Sequence, residues 1–167
     1  IRIIDVRRED DYKAGHIKNS VNLPLAKLLN DDSVENIAKI AGELGISDNT
    51  TVVVYDDTFG ALSSRVVWAL QYIGHNDVKL LSVTFSQWKE LGLDITTKVP
   101  EIEKSTHSIK IQSDIMATAD YLEKVKDKKN VVIIDNRERL NFLEQHIPGA
   151  INIPYRTLAT DGQIIRT

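Results

Sequence analysis

Short apolar runs alternate along the chain with stretches whose apolar residues recur every three or four positions. Residues 1–5 form a β-branched run closed by Asp5, the pattern of a strand buried on both faces, and 51–55 and 78–81 repeat it. Between these runs, Ser33 can cap a helix that places Val34, Ile37, Ala38, Ala41 and Leu44 on one face and stops at Gly45. Residues 61–73 put Leu62, Val66, Ala69, Leu70 and Ile73 inward and end at Gly74, and a shorter helix over 85–91 ends at Gly92. Residues 8–14 predict one or two helical turns closed by Gly15, followed by a brief strand near Val21. This alternation predicts an α/β fold of parallel strands with helices on both faces. From Asp94 to Ser108 the pattern lapses into mixed charge around Pro100, as expected of a linker. Asp114 then opens a predicted helix reaching about Val125, and 131–135 returns to the strand pattern.

The twenty residues DVRREDDYKAGHIKNSVNLP (5–24) come back 130 positions later as DNRERLNFLEQHIPGAINIP (135–154). Asp5, Arg7, His16, Ile17, Asn22 and Pro24 recur as Asp135, Arg137, His146, Ile147, Asn152 and Pro154, and Tyr12 corresponds to Phe142. A period this long is too large for a solenoid repeat and suits a duplicated domain. On that ruler, residues 1–93 are most of a first domain, 94–108 a linker, and 109–167 the opening of a second. The counterpart of helix 114–125 should precede Ile1, and the counterpart of strand 51–55 with loop 56–60 should lie near 181–190.

Net charge is −3 with interspersed signs, so there is no basic stripe for nucleic acid. No apolar run approaches the ~18 residues of a membrane-spanning helix. A cytoplasmic location is the default that remains. The 167 residues include no cysteine, which removes disulfides, thiolate metal sites and any thiol nucleophile from this stretch. His16, His75, His107 and His146 lack ligand-like spacing, and neither a metal nor a cofactor is expected.

Asp-x-Arg, an aromatic five positions on, and then His-Ile-x-x-(Ala/Ser)-(Val/Ile)-Asn-(Leu/Ile)-Pro resemble the rhodanese family, in particular its two-domain thiosulfate and 3-mercaptopyruvate sulfurtransferases. The resemblance continues through Val52-Val-Val-Tyr-Asp56, Arg65-Val-Val-Trp68, Tyr72-Ile-Gly-His75, Phe85-x-x-Trp88, Thr96-Thr-x-Val-Pro100 and Asp161-Gly-Gln-Ile164. It implies tandem rhodanese-like domains that move sulfane sulfur from a small anionic donor, such as thiosulfate, to a thiophilic acceptor such as cyanide. The carrier would be a cysteine persulfide on a loop between a strand end and a helix N-terminus, where N–H groups and the helix dipole favour an anion.

Three departures from the family pattern matter. In the first domain the loop is Asp56-Asp57-Thr58-Phe59-Gly60, with Asp56 at the nucleophile position, so that this half is expected to be a vestigial, inactive site. In the second domain the nucleophile would fall near position 186, and the 167 residues themselves should be inactive. Asn141 stands where some relatives hold substrate with an arginine, which with Arg137 marks a possible substrate pocket and disfavours 3-mercaptopyruvate. Ser82-Val83-Thr84 replaces a common Asp-Gly-Gly.

Plainer roles stand beside the catalytic ones. The recurrence of Asp5/Arg7 and His16 in a half without a nucleophile favours structural networks. Trp68 and Trp88 lie on apolar helix faces and are expected in the core. Arg65 is expected to be solvated or paired at the surface, and Asp56 and Asp57 to cap the helix after their loop. The alternative to an enzyme is a non-catalytic rhodanese-like module that binds or regulates a partner.

Overall fold

Four parallel strands organise the first of two units, Ile1–Ser113 and Asp114–Thr167, in a computed structural model that describes residues 1–158. In chain order the first unit runs β1 (Arg2–Asp5), α1 (Glu9–Ala14), β2 (His16–Ile17), β3 (Ser20–Asn22), α2 (Leu25–Leu29), α3 (Val34–Glu43), β4 (Val52–Tyr55), α4 (Ser63–Tyr72), β5 (Val78–Leu80), α5 (Phe85–Glu90) and β6 (Ile95–Thr96). The sheet order is β3-β1-β4-β5, with Ile4 beside Val21 on one side and Val54 on the other.

Alternating side chains send the two faces of the sheet into different cores. Ile4, Val52 and Val54 enter the large core with Leu28 of α2, Ile37 and Ala41 of α3, and Val66, Ala69 and Leu70 of α4. On the other face Tyr55 joins Ile17 and Phe85 of α5, with Ile3 and Trp88 packed against them. The expected α/β layering, helices on both faces of a parallel sheet, is therefore present. It also explains why β1 and β4 read as continuous apolar runs: both sit in the middle of the sheet and are covered on both sides.

Two helix starts in this unit follow their side-chain caps. Ser33 Oγ accepts from the Asn36 N–H at 3.3 Å and starts α3. Thr84 and Gln87 form a reciprocal capping box at the start of α5. Thr84 is buried, which gives a physical account of the missing glycines at 82–84: a hydroxyl cap sets the chain's entry into α5 where others use a flexible turn.

The segment expected as a linker packs as part of the first unit. Ile95 and Thr96 pair antiparallel with Ile17 and His16, and the Ser105, Lys110 and Gln112 N–H groups donate to the Gly42, Ile73 and Tyr72 carbonyls. Composition did not signal this, because these bonds go to the ends of α3 and α4 and form no ladder with a sequence period.

In the second unit, α6 (Ala119–Val125), β7 (Ile134–Asp135), α7 (Arg139–Glu144) and β8 (Ile151–Asn152) follow a 3-10 turn at Ser113–Ile115. The helix predicted to open at Asp114 begins instead at Ala119, because the Thr118 hydroxyl accepts from the Tyr121 N–H at 3.1 Å and Asp114 is taken up in the 3-10 turn. β7 pairs in parallel with β8, Ile134 beside Ile151, as β1 pairs with β3. The motif at 161–164 lies outside the described residues.

Candidate functional site

The loop after β4 lies at the carboxyl end of the parallel sheet, where α/β folds place their chemistry. Asp56 leaves the strand and is 1% exposed. Phe59 (φ 54°) and Gly60 (φ 87°) then turn the backbone through the left-handed region, a nest-like turn that brings several N–H groups of the loop inward. The Asp56 carboxylate fills that nest. It accepts six hydrogen bonds, from the N–H groups of Thr58, Gly60, Leu62 and Ser63 at 2.8–3.0 Å and from the Thr58 and Ser63 hydroxyls at 3.0 Å. Burial alone would raise its pKa. The N–H groups of Ser63, Thr58 and Gly60 outweigh that effect and hold the carboxyl below its ordinary value.

Asp57 does not share this site. Its two oxygens accept from the N–H and the hydroxyl of Ser86, on α5 rather than on α4, while the Phe85 N–H donates to the Asp56 carbonyl. The two carboxylates therefore tie one loop to two helices. The Phe59 side chain points outward, 43% exposed. Among the described residues no group of three His, Asp or Glu side chains is arranged to hold a metal ion, and no helix is long and apolar enough to cross a membrane.

Beneath the loop, the Arg7 guanidinium forks onto Asp5, Nε to Oδ1 at 3.0 Å and Nη2 to Oδ2 at 2.6 Å, and Nη2 also donates to the Gly15 carbonyl at 2.8 Å. The Phe85 ring covers the guanidinium, its centroid 3.6 Å from Cζ. The Tyr55 hydroxyl donates to Asp5 Oδ2 at 2.5 Å and accepts from the Ile17 N–H at 3.1 Å. Burial first, and then the Asp5 charge, push the Tyr55 phenol above its ordinary pKa. His16 is buried, stacks on Tyr12 at 3.7 Å and meets the Tyr12 carbonyl through Nδ1 at 2.8 Å. Asn22 Nδ2 bridges the Asp5 and Arg7 carbonyls at 3.0 Å each.

The second copy repeats this geometry nearly atom for atom. Arg137 forks onto Asp135 at 3.0 and 2.6 Å and reaches the Gln145 carbonyl at 2.6 Å. His146 stacks on Phe142 at 3.8 Å and meets its carbonyl at 2.8 Å, and Asn152 Nδ2 bridges the Asp135 and Arg137 carbonyls at 2.9 Å each. Hydrogen bonds from the Arg137 side chain and N–H lower the Asp135 pKa. A cleft of about 620 Å³ runs beside the pair, lined by Ile134, Arg137, His146 and Pro148 among others. Asn141 lies exposed on α7 and is not among the residues lining it.

Arg65 reaches Asp32 at 3.5 Å and lies over the Trp68 ring, 4.6 Å from its centroid. Trp68 packs against the large core and Trp88 against the small one. Sequence reasoning passed over Ser63 and Tyr55. Ser63 lies seven positions past Asp56, where no short motif links the two, and Tyr55 looked like the last apolar residue of a strand.

A family profile for rhodanese-like domains matches residues 1–91 and 118–166, and the chain belongs to that family. Among curated proteins, it is 33% identical to a probable 3-mercaptopyruvate sulfurtransferase of Schizosaccharomyces pombe, over 77% of this chain and 48% of that protein. It is 29% identical to the thiosulfate sulfurtransferase of Gallus gallus, over 78% of this chain and 49% of that protein. It is also 29% identical to the sulfur carrier protein TtuD of Thermus thermophilus, over 97% and 67%. The chain thus spans about half to two thirds of the length of these relatives. Among solved structures it superposes on SseA of Escherichia coli, a 3-mercaptopyruvate sulfotransferase, with a TM-score of 0.86 at 23% identity, over 99% of this chain and 72% of that one. At that identity the superposition establishes the shared fold.

Proposed function

We propose that this chain is the inactive first domain and the opening of the active second domain of a rhodanese-type sulfurtransferase. The sulfur would pass through a cysteine about 19 residues beyond Thr167, the position found by adding the 130-residue period to Asp56. That thiolate attacks the outer sulfur of thiosulfate, forms a persulfide and expels sulfite. The acceptor, cyanide, then takes the outer sulfur as thiocyanate and restores the thiolate. The observation that supports this division of labour is the filled nest: six hydrogen-bond donors in the first unit already serve the Asp56 carboxylate. A carboxylate cannot carry a persulfide, and it repels an anionic donor. Arg137, which lines the cleft, and Asn141, which stands outside it on α7, are the proposed substrate-pocket residues, with Asn141 favouring thiosulfate over a donor that needs a second cation.

The test is a thiosulfate–cyanide assay on the chain extended past Thr167 and on residues 1–167 alone. Thiocyanate is expected from the extended chain and none from residues 1–167. An extended chain without a reactive thiol and without turnover would instead support a non-catalytic binding or regulatory module, the alternative that the absence of cysteine from residues 1–167 keeps open.

A further inference from the structure

Residues 102–112 have no regular secondary structure, yet they are fastened along the first unit at several points. Three glycines make room for them. A Cβ on Gly42 would meet the Ser105 carbonyl at 2.5 Å, one on Gly45 the Glu103 carbonyl at 2.6 Å, and one on Gly74 the Lys110 carbonyl at 2.7 Å. Ser105, Lys110 and Gln112 donate backbone bonds of 2.8–2.9 Å to Gly42, Ile73 and Tyr72, and Ser108 binds Asp48 through both its N–H and its hydroxyl.

His107 projects inward from the middle of this strap. Its side chain is 2% exposed, and its Nε2 lies 3.0 Å from Nδ1 of His75, which is itself 1% exposed. His107 Nδ1 is buried without a hydrogen-bond partner, 3.9 Å from Asp48 Oδ1. The other groups that act on the pair are the Thr50 backbone and the Asp77 carboxylate beside His75, and Lys110 on the strap, which faces Asp48.

We propose that the His75–His107 pair is a proton-operated latch that frees the 105–112 strap from the first unit on acidification. A 3.0 Å contact between two imidazole nitrogens is a single hydrogen bond: one nitrogen donates and the other must offer a lone pair. The pair accommodates one added proton, because Asp48 lies beside His107. A second proton leaves two donors and two cations facing each other in a buried site, and the contact is lost. The strap is the half that moves. His75 is held at the end of α4 by its N–H to the Leu70 carbonyl, whereas the strap has no ladder of its own.

The titration of His75 has the right sign. Burial first, and then His107, lower its pKa below 6.5, against the pull of the Thr50 backbone and the Asp77 and Asp48 carboxylates. A base whose folded pKa is depressed contributes stability that is complete above the unfolded value and is lost as pH falls through the folded one. The latch is therefore closed at neutral pH and opens on the acid side.

The test is hydrogen exchange on the whole chain at about pH 7.5 and about pH 5.5, corrected for intrinsic rates, the interval in which histidine titrates. The Ser105, Lys110 and Gln112 amides are expected to lose up to roughly tenfold of their protection, the most that one released histidine supplies about a pH unit below its ordinary value, while β1 and β4 amides keep theirs. His107→Gln and His75→Gln should each abolish the pH dependence of the strap. The proposal is overturned if strap and sheet lose protection together, if the strap keeps its protection at the lower pH, or if the acid response survives both substitutions. Asp48→Asn removes the charge that lets the pair hold one proton: it should lower strap protection at both pH values and move the acid loss to higher pH, and an unmoved acid loss would count against the latch. The wild-type contrast between strap and sheet decides the matter even where a glutamine variant folds poorly.

Discussion

Arg7 and Arg137 grip their aspartates in the same fork, yet one side chain is 9% exposed and the other 50%. The paired distances agree within 0.2 Å through the fork, the asparagine bridge and the histidine stack. A geometry that is the same in a buried and an open setting is encoded locally, by residues within 17 positions of one another. Tertiary structure adds the cover. In the first unit Tyr55 and Phe85 come from β4 and α5 to close over the fork, and among the described residues no counterpart to either is recorded at Asp135 or Arg137.

Breaking the fork in each copy gives the largest expected contrast. Arg7→Ala leaves Asp5 charged and buried and should cost about 3–5 kcal/mol, whereas Arg137→Ala removes a solvent-exposed partner and should cost far less. Trp68 and Trp88 both lie in the first unit, so fluorescence-monitored urea unfolding reads that side, and hydrogen exchange on β7 reads the other. Equal losses would refute the claim that burial alone separates the copies.

The self-filled nest comes next. Asp56→Asn keeps the shape but turns one acceptor into a donor, leaving buried N–H groups unserved at about 1–3 kcal/mol. Because the wild-type carboxyl is held below its ordinary 3.8, its contribution is complete above that value and fades as pH falls further. Loop protection in Asp56→Asn should be flat over the same range, and a parallel acid loss in both proteins would count against the nest. Tyr55→Phe removes part of the cover, taking a donor from Asp5 and an acceptor from Ile17. The expected loss is about 1–2 kcal/mol. Caps close the series, the exposed one with the smallest effect. Thr84→Ala should cost about 1–2 kcal/mol and Thr118→Ala about 0.5–1 kcal/mol, since the first breaks a buried reciprocal box and the second an exposed single bond.

What could be read from the residues divides along the same line. β1, β4, α3 and α4 announced themselves because run length, face periodicity and caps are local signals. The β2–β6 pair did not: each strand has two residues, and Ile17 finds Ile95 across most of the unit. The expected strand at 131–135 narrows to Ile134–Asp135, because strand length is set by the partner rather than by apolar content. At the site, the charge that Asp56 brings to the loop was legible from the residues alone. The dependence of that carboxylate on Ser63, and of Asp5 on Tyr55, was not, since both contacts exist only once β4 and α4 are in place.

The filled nest also changes how the first loop answers its surroundings. A tethered guest returns to its host at an effective concentration that dissolved salts do not approach. Sulfate or phosphate in the medium competes poorly for those donors, and the loop keeps its bound-like form whether or not any sulfur compound is near. The loop keeps one shape, indifferent to the anions that pass it.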